Sequence, residues 1–179
     1  MSGNPNSGKS TAAQHLAETH GFIVCRPSDL IRGFAITNNL PLLERRDYIC
    51  AHIDMVEEYG EDYVVNSILE TPGDRVCVDG ERIPRHIEKL HSVGAKVLAF
   101  WCPLDIRYGR SLVRGEVRDK NSLQAFAEDE AREYCSSTPP YTSVMTVMQM
   151  ADYHIDASQP IDRMLASVDA CVEPLLAAA

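Results

Sequence analysis

Eight residues near the start of the sequence, Gly3-Asn4-Pro5-Asn6-Ser7-Gly8-Lys9-Ser10, fill the spacing G-x-x-x-x-G-K-[ST]. No other stretch restricts the fold so tightly, because each residue type in this spacing has a physical task. Successive backbone N–H groups in such a turn point inward and form a concave anion site. A helix opening near Lys9 adds unpaired N–H donors and the positive end of its dipole. Glycine is needed at positions 3 and 8, where a Cβ would collide with the turn or with the bound anion. In this arrangement Lys9 would bridge the β- and γ-phosphates of a nucleoside triphosphate, and the Ser10 hydroxyl would ligate Mg²⁺. Such a loop joins the C-terminal end of a strand to a helix.

Composition sets the outer limits. A chain of 179 residues can bury one sizeable core, and one domain spanning 1–179 is the expected organisation. The formal net charge of −9 argues against a polynucleotide partner, which would require a basic face. It does not exclude a small anion held by a local cluster of arginines. No stretch is long and apolar enough to span a bilayer. Met1-Ser2 leads straight into the loop, so no secretory leader is expected and a cytoplasmic location is the default. Cys25, Cys50, Cys77, Cys102, Cys135 and Cys171 contain no C-x-x-C pair; buried reduced thiols are the expected state. The histidines show no ligand spacing with the cysteines or with one another.

Along the chain, short apolar runs alternate with helix-period segments. Strands are expected near Phe22–Cys25, Val76–Val78, Val97–Trp101 and Tyr153–Ile155. Helices are expected between them, among them Thr11–His20, Glu44–Glu58, Asp105 to about Arg118, Leu123–Tyr134 and Pro160–Leu176. Alternation of this kind predicts a parallel sheet covered on both faces.

Three further constellations fall where such a sheet places its ligand crevice, beyond the C-terminal ends of the strands. Ser28-Asp29-Leu30-Ile31-Arg32 follows the second strand; Asp29 and Arg32 either face the site or serve as a cap and a solvated charge. Val78-Asp79-Gly80-Glu81-Arg82 ends the third. There Asp79 can hold Mg²⁺, and Arg82 or Arg85 can offer a bidentate fork to a phosphate. Arg107, Arg110, Arg114 and Arg118 are spaced three, four and four apart, on one helical face, with a single Glu among them. Too few acids stand at pairing distance to neutralise that stripe, which favours a mobile element bringing arginine onto a transferring phosphoryl group. Arg132 lies farther on and can join it.

Taken together, these residues resemble the nucleoside monophosphate kinase group of P-loop proteins, the relatives of adenylate kinase. The resemblance rests on Gly3-x-Pro5-x-Ser7-Gly8-Lys9-Ser10-Thr11, on Ser28 to Arg32 as an acceptor-site stretch, and on Asp79-Gly80-Glu81-Arg82 as the Asp-Gly strand end. Arg110-x-x-x-Arg114 looks like the start of a lid, and Ala151 to Asp156 like the last strand. It implies a three-layer αβα P-loop NTPase fold with a parallel sheet and an Arg-rich helical lid at about 105–134. It implies ATP and Mg²⁺ as cofactors, a small-molecule nucleotide as partner, and transfer of the γ-phosphoryl of ATP to a nucleoside monophosphate or related nucleotide. Gly3, Asn4, Pro5, Asn6, Ser7, Gly8, Lys9, Ser10 and Thr11 would hold ATP, with Ser10 and Asp79 at the metal. Asp29, Arg32, Asp79 and Arg82 would hold the acceptor, and Lys9, Arg114, Arg118 and Arg132 would act on the transferring group. The aromatic-Pro-Arg sequence of true adenylate kinases is missing after Asp79-Gly80. A hydroxyl-directed kinase of the dephospho-coenzyme A kinase type therefore stays open, as does a regulatory module that binds nucleotide without transferring phosphate. Only Met1-Ser2 precede Gly3, which is short for a strand. The expectation is a four-strand sheet with a gap or weak pairing beside the loop, and a natural chain that begins upstream.

Overall fold

The computed structural model describes residues 1–43, 45–115, 122–134, 136 and 140–177, without the side chains of 45, 129 and 132–134. Within them the strands are β1 (Ser2–Gly3), β2 (Ile23–Cys25), β3 (Val76–Val78), β4 (Leu98–Trp101) and β5 (Tyr153–Asp156). The helices are α1 (Lys9–His20), α2 (Pro27–Thr37), α3 (Arg45–Tyr59), α4 (Tyr63–Leu69), α5 (Pro84–Ser92), α6 (Leu104–Arg114), α7 (Leu123–Tyr134), α8 (Val144–Gln149) and α9 (Ile161–Ala177). All strand pairs are parallel, as alternating strands and helices require.

The sheet forms in two pieces. β1 pairs with β4 through Ser2–Ala99 and Gly3–Phe100, and β4 pairs with β5 from Leu98–Tyr153 to Trp101–Asp156. β2 pairs with β3 from Ile23–Val76 to Cys25–Val78. Two hydrogen bonds at Met1 join the pieces: its amino group donates to the Val78 carbonyl at 2.6 Å, and Gly80 N–H donates to the Met1 carbonyl at 3.1 Å. The resulting order is β2-β3-β1-β4-β5. A fifth strand of two residues thus stands where a gap or weak pairing was expected, and among the described residues it is joined to β3 by those two bonds at Met1. The loop after Gly3 leaves between β3 and β4, at the switch point where open α/β sheets bind ligands.

Helices cover both faces. Ala12, Ala13 and Leu16 of α1 and Met164, Val168 and Val172 of α9 pack on Leu98, Phe100 and Ile155. Phe100 is fully buried, which contributes roughly 1.5–3 kcal/mol. A second cluster joins α2, α3, α4, α5 and α8 through Phe34, Ala51, Met55, Val65, Ile87 and Val147. It anchors the helices that stand over the ends of β2 and β3. α6 stops at Gly115, not near Arg118, because Gly115 turns left-handed at φ 62° and its N–H donates to the Ser111 carbonyl. Cys77 and Cys102 are buried thiols as expected, whereas Cys50 is exposed on α3; Cys135 lies outside the described residues. No described helix is long and apolar enough to cross a membrane.

Candidate active site

The loop from Gly3 to Lys9 is shaped by its backbone. Gly3 adopts φ 141°, and a Cβ there would stand 2.4 Å from the Phe100 carbonyl oxygen. Pairing with β4 therefore demands glycine. Asn6 turns left-handed at φ 57°, a conformation asparagine tolerates better than most residues. Gly8, at φ 94°, precedes α1 and supplies no side-chain cap. The first N–H groups of α1 thus face the loop, and its first turn holds no acidic residue. Lys9 is folded inward, donating to the carbonyls of Gly3 at 2.9 Å and Asn4 at 2.7 Å and to Ser7 Oγ at 3.3 Å. Ser10 and Thr11 are exposed on the first turn of α1.

The arginine face of α6 is turned onto this loop. Arg107 Nη1 donates to the Pro5 carbonyl and Arg110 Nη1 to the Asn6 carbonyl, each at 3.4 Å, and Arg114 Nη1 donates to Asn6 Oδ1 at 3.3 Å. Arg110 also donates to the Ala157 carbonyl at 2.8 Å, tying the loop to the end of β5. The stripe is not uniform, and one expectation needs correcting. Arg107 is buried and paired with Glu130 of α7 at 2.7 Å, and its Nε donates to the Cys102 carbonyl. It is a packed ion pair joining α6 to α7; its acid stands 23 residues away, beyond any local pairing rule. Arg118 lies outside the described residues, as does the side chain of Arg132 on α7. Asn6, Ser7, Gly8, Lys9, Ser10, Thr11, Arg110 and Arg114, with Gln159, Ile161 and Met164 from the start of α9, line a cleft of about 350 Å³. Three cations and no Asp or Glu stand among these described lining residues, in a chain of net charge −9.

The ends of β2 and β3 carry a second group. Arg32 Nη1 donates to Asp29 Oδ1 at 2.8 Å, its Nε donates to the Tyr48 hydroxyl at 3.3 Å, and its guanidinium lies 5.9 Å from the Tyr48 ring centre. Arg26 donates from Nε to Asp79 Oδ2 at 3.3 Å and approaches Asp29 Oδ2 at 4.0 Å. Asp29, Arg32 and Asp79 are thereby linked through Arg26, which sequence reasoning passed over; its only signal was a place between strand end and Pro27. Arg82 offers its carbonyl to Ser143 N–H at 2.7 Å and its N–H to Glu81 Oε1 at 2.9 Å.

Beneath Arg82 lies a buried polar cluster that the sequence did not disclose. Glu81 Oε1 also accepts from Ile83 N–H at 3.0 Å and stands 3.2 Å from His86 Nδ1. Burial pushes the Glu81 carboxyl up, but His86 and the two backbone N–H groups outweigh it and hold it below the ordinary carboxylate value. Burial likewise opposes the charge on His86, and Glu81 outweighs it, raising that imidazole. Each partner thus favours the charged form of the other. His52 of α3, buried nearby, is pushed down to about 4 by desolvation and is neutral near pH 7. Away from this region, His15 and His20 converge on Asp169, a meeting that their spacing in the sequence does not show.

No protein-family model matches the chain. The UPF0200 protein of Methanosarcina mazei is 29% identical to it, over 73% of each chain. The shikimate kinase from Aquifex aeolicus vf5 superposes with a TM-score of 0.56, covering 97% of this chain and 95% of that one at 13% identity. A gluconokinase from Sinorhizobium meliloti 1021 reaches 0.52, covering 99% and 94% at 14% identity. These structures share the sheet and its helical layers with this chain, and the loop, the strand order and the comparison agree: the chain has the P-loop kinase fold.

Proposed function

We propose that this protein is an ATP-dependent phosphotransferase that moves the γ-phosphoryl of ATP to a nucleoside monophosphate or related nucleotide. The observation that carries this reading is the cleft at the P-loop, with its uncapped helix start, Lys9, Arg110, Arg114 and no acid among its described lining residues. An acidic protein that concentrates cations in one concave place is arranged to hold an anion. Phosphoryl transfer asks chiefly for positioning and charge stabilisation. Gly3 to Thr11 would hold the triphosphate, with Lys9 turning from the carbonyls of Gly3 and Asn4 to the phosphates. Ser10, exposed beside Lys9, fits a Mg²⁺ ligand; the ion would neutralise phosphate charge. Asp79 is a second candidate, although one of its oxygens is engaged by Arg26.

On the acceptor side, Arg32 and Arg82 would hold the anionic group of the incoming nucleotide. Arg26 and Asp79 would keep the ends of β2 and β3 at fixed spacing. α6 and α7 would serve as the lid, Arg114 with Arg118 and Arg132 stabilising the transferring group and excluding water. A second reading, transfer to a hydroxyl, is favoured by one feature. Asp29 presents an exposed carboxylate beside Arg32 at the end of β2, where it can take the proton of an attacking hydroxyl.

The discriminating experiment offers purified protein Mg²⁺-ATP with a panel of ribo- and deoxynucleoside monophosphates, then dephospho-coenzyme A, shikimate and gluconate. ADP release that depends on a monophosphate supports the first reading. Release dependent only on a hydroxyl acceptor supports the second. Slow release that no acceptor accelerates supports a nucleotide-binding regulator and overturns both.

A further inference from the structure

Far from the cleft, the last turns of α1 and the middle of α9 bring three ligand-type side chains together. His15 Nε2 lies 2.8 and 3.0 Å from the two carboxylate oxygens of Asp169, and His20 Nε2 lies 2.9 Å from Oδ1. One ligand atom from each residue falls within 4.8 Å of the others. The two imidazoles stand edge to face, 6.2 Å apart at 85°, so their Nε2 atoms meet at the carboxylate without the rings colliding. The side chains are 21%, 15% and 26% exposed, which leaves one side open to water.

A carboxylate accepting two N–H bonds describes this geometry as it stands. The same atoms also match, in type and number, two imidazoles and one carboxylate around a metal with an open fourth position. One detail favours the metal. His15 Nδ1 lies 3.3 Å from Thr19 Oγ1. That hydroxyl can accept the proton of the Nδ1–H tautomer and leave the Nε2 lone pair facing Asp169, which is how outer partners orient metal-bound histidine.

We propose that His15, His20 and Asp169 form a binding site for a divalent cation of the Zn²⁺ class, with water as the fourth ligand. The mix of imidazole and carboxylate suits Zn²⁺ better than Mg²⁺ or Ca²⁺, which take oxygen ligands. The site clamps α9 to the helix that follows the P-loop. His20 stands eleven residues after Lys9, about 16 Å along the helix axis, so the ion cannot share the phosphate site. It would act through α9, whose first turn lines the cleft with Ile161 and Met164.

The test uses the full chain and ZnCl₂, by titration calorimetry and X-ray absorption, with His20→Gln, Asp169→Asn and His15→Gln. The expected result is one tight Zn²⁺ per chain with a nitrogen and oxygen shell near ~2.0–2.1 Å. Each substitution should weaken binding roughly tenfold or more while circular dichroism stays unchanged. Zn²⁺ should raise the melting temperature of the unsubstituted protein and not that of Asp169→Asn. Affinity unchanged in the variants, a sulfur shell near ~2.3 Å from the cysteines, or no tight binding would each overturn the site. None of these readouts depends on phosphoryl transfer.

Discussion

Glu130→Ala tests whether Arg107 belongs to the packing or to the chemistry. Both side chains of the pair are almost wholly buried, at 4% and 5% exposure, with Nη1 and Oε2 2.7 Å apart. Removing the carboxylate leaves a guanidinium in a low-dielectric place with its main counter-charge gone, which costs about 3–5 kcal/mol. A domain of ordinary stability has about 5–15 kcal/mol in all, so the variant should unfold at a much lower urea concentration. Arg107→Met combined with Glu130→Leu removes both charges and refills the space. It forfeits the bond from Arg107 Nε to the Cys102 carbonyl, 2.8 Å long, which costs about 1–3 kcal/mol. Relief from desolvating two ions offsets much of that, so the double variant should lie within about 2 kcal/mol of the parent. Urea unfolding with a constant slope gives the three differences, and the cycle gives the coupling. Arg107 reaches the P-loop through a long bond to the Pro5 carbonyl at 3.4 Å, so turnover in the double variant should fall by no more than about tenfold, roughly 1.4 kcal/mol of barrier. A stable double variant that has lost several orders of magnitude in kcat would refute the packing role. So would a Glu130→Ala protein as stable as its parent.

Gly3→Ala should destabilise strongly and lower ATP affinity, since its Cβ would stand 2.4 Å from the Phe100 carbonyl oxygen; a melting temperature equal to the parent's would contradict the derived backbone of the loop. Asp29→Asn should lower monophosphate transfer by at most about tenfold, because a phosphate acceptor needs no strong base; a loss of several orders with intact binding would move the assignment to a hydroxyl acceptor. Stability should rise between about pH 4 and pH 6.5, because the unfolded chain protonates His52 at 6.5 whereas the folded one does so only at about 4. The span is worth about 3 kcal/mol, is complete above pH 6.5, and should be missing in His52→Gln as followed by urea unfolding at stepped pH.

What could be read beforehand was local or periodic. Gly3 to Ser10 announced its own geometry, because each residue there answers to the backbone beside it. The parallel sheet followed from alternation, and the arginine face from helical spacing. What could not be read was pairing across the fold. Arg26 with Asp79 spans 53 residues, Arg107 with Glu130 spans 23, and His15 with Asp169 spans 154. No propensity or period encodes such a partner. A stripe that looked like four equivalent arginines therefore resolved, at its three described members, into a buried ion pair at Arg107, a backbone tie at Arg110 and a cleft-lining charge at Arg114. The helix end was missed for a different reason. Gly115 stops α6 by adopting a left-handed conformation, and glycine inside an arginine-rich run is equally compatible with continuation.

If the cleft at Gly3 to Thr11 delivers a phosphoryl group, as proposed, Lys9 holds that group. Lys9→Ala should be compared with the parent for transfer of labelled γ-phosphate from Mg²⁺-ATP to the best acceptor of the panel, with folding checked by circular dichroism. Transfer should fall by at least about a hundredfold to a thousandfold in a protein that remains folded, although the Gly3 and Asn4 carbonyls lose a donor. Transfer near the parental rate in folded Lys9→Ala would remove the P-loop from the mechanism.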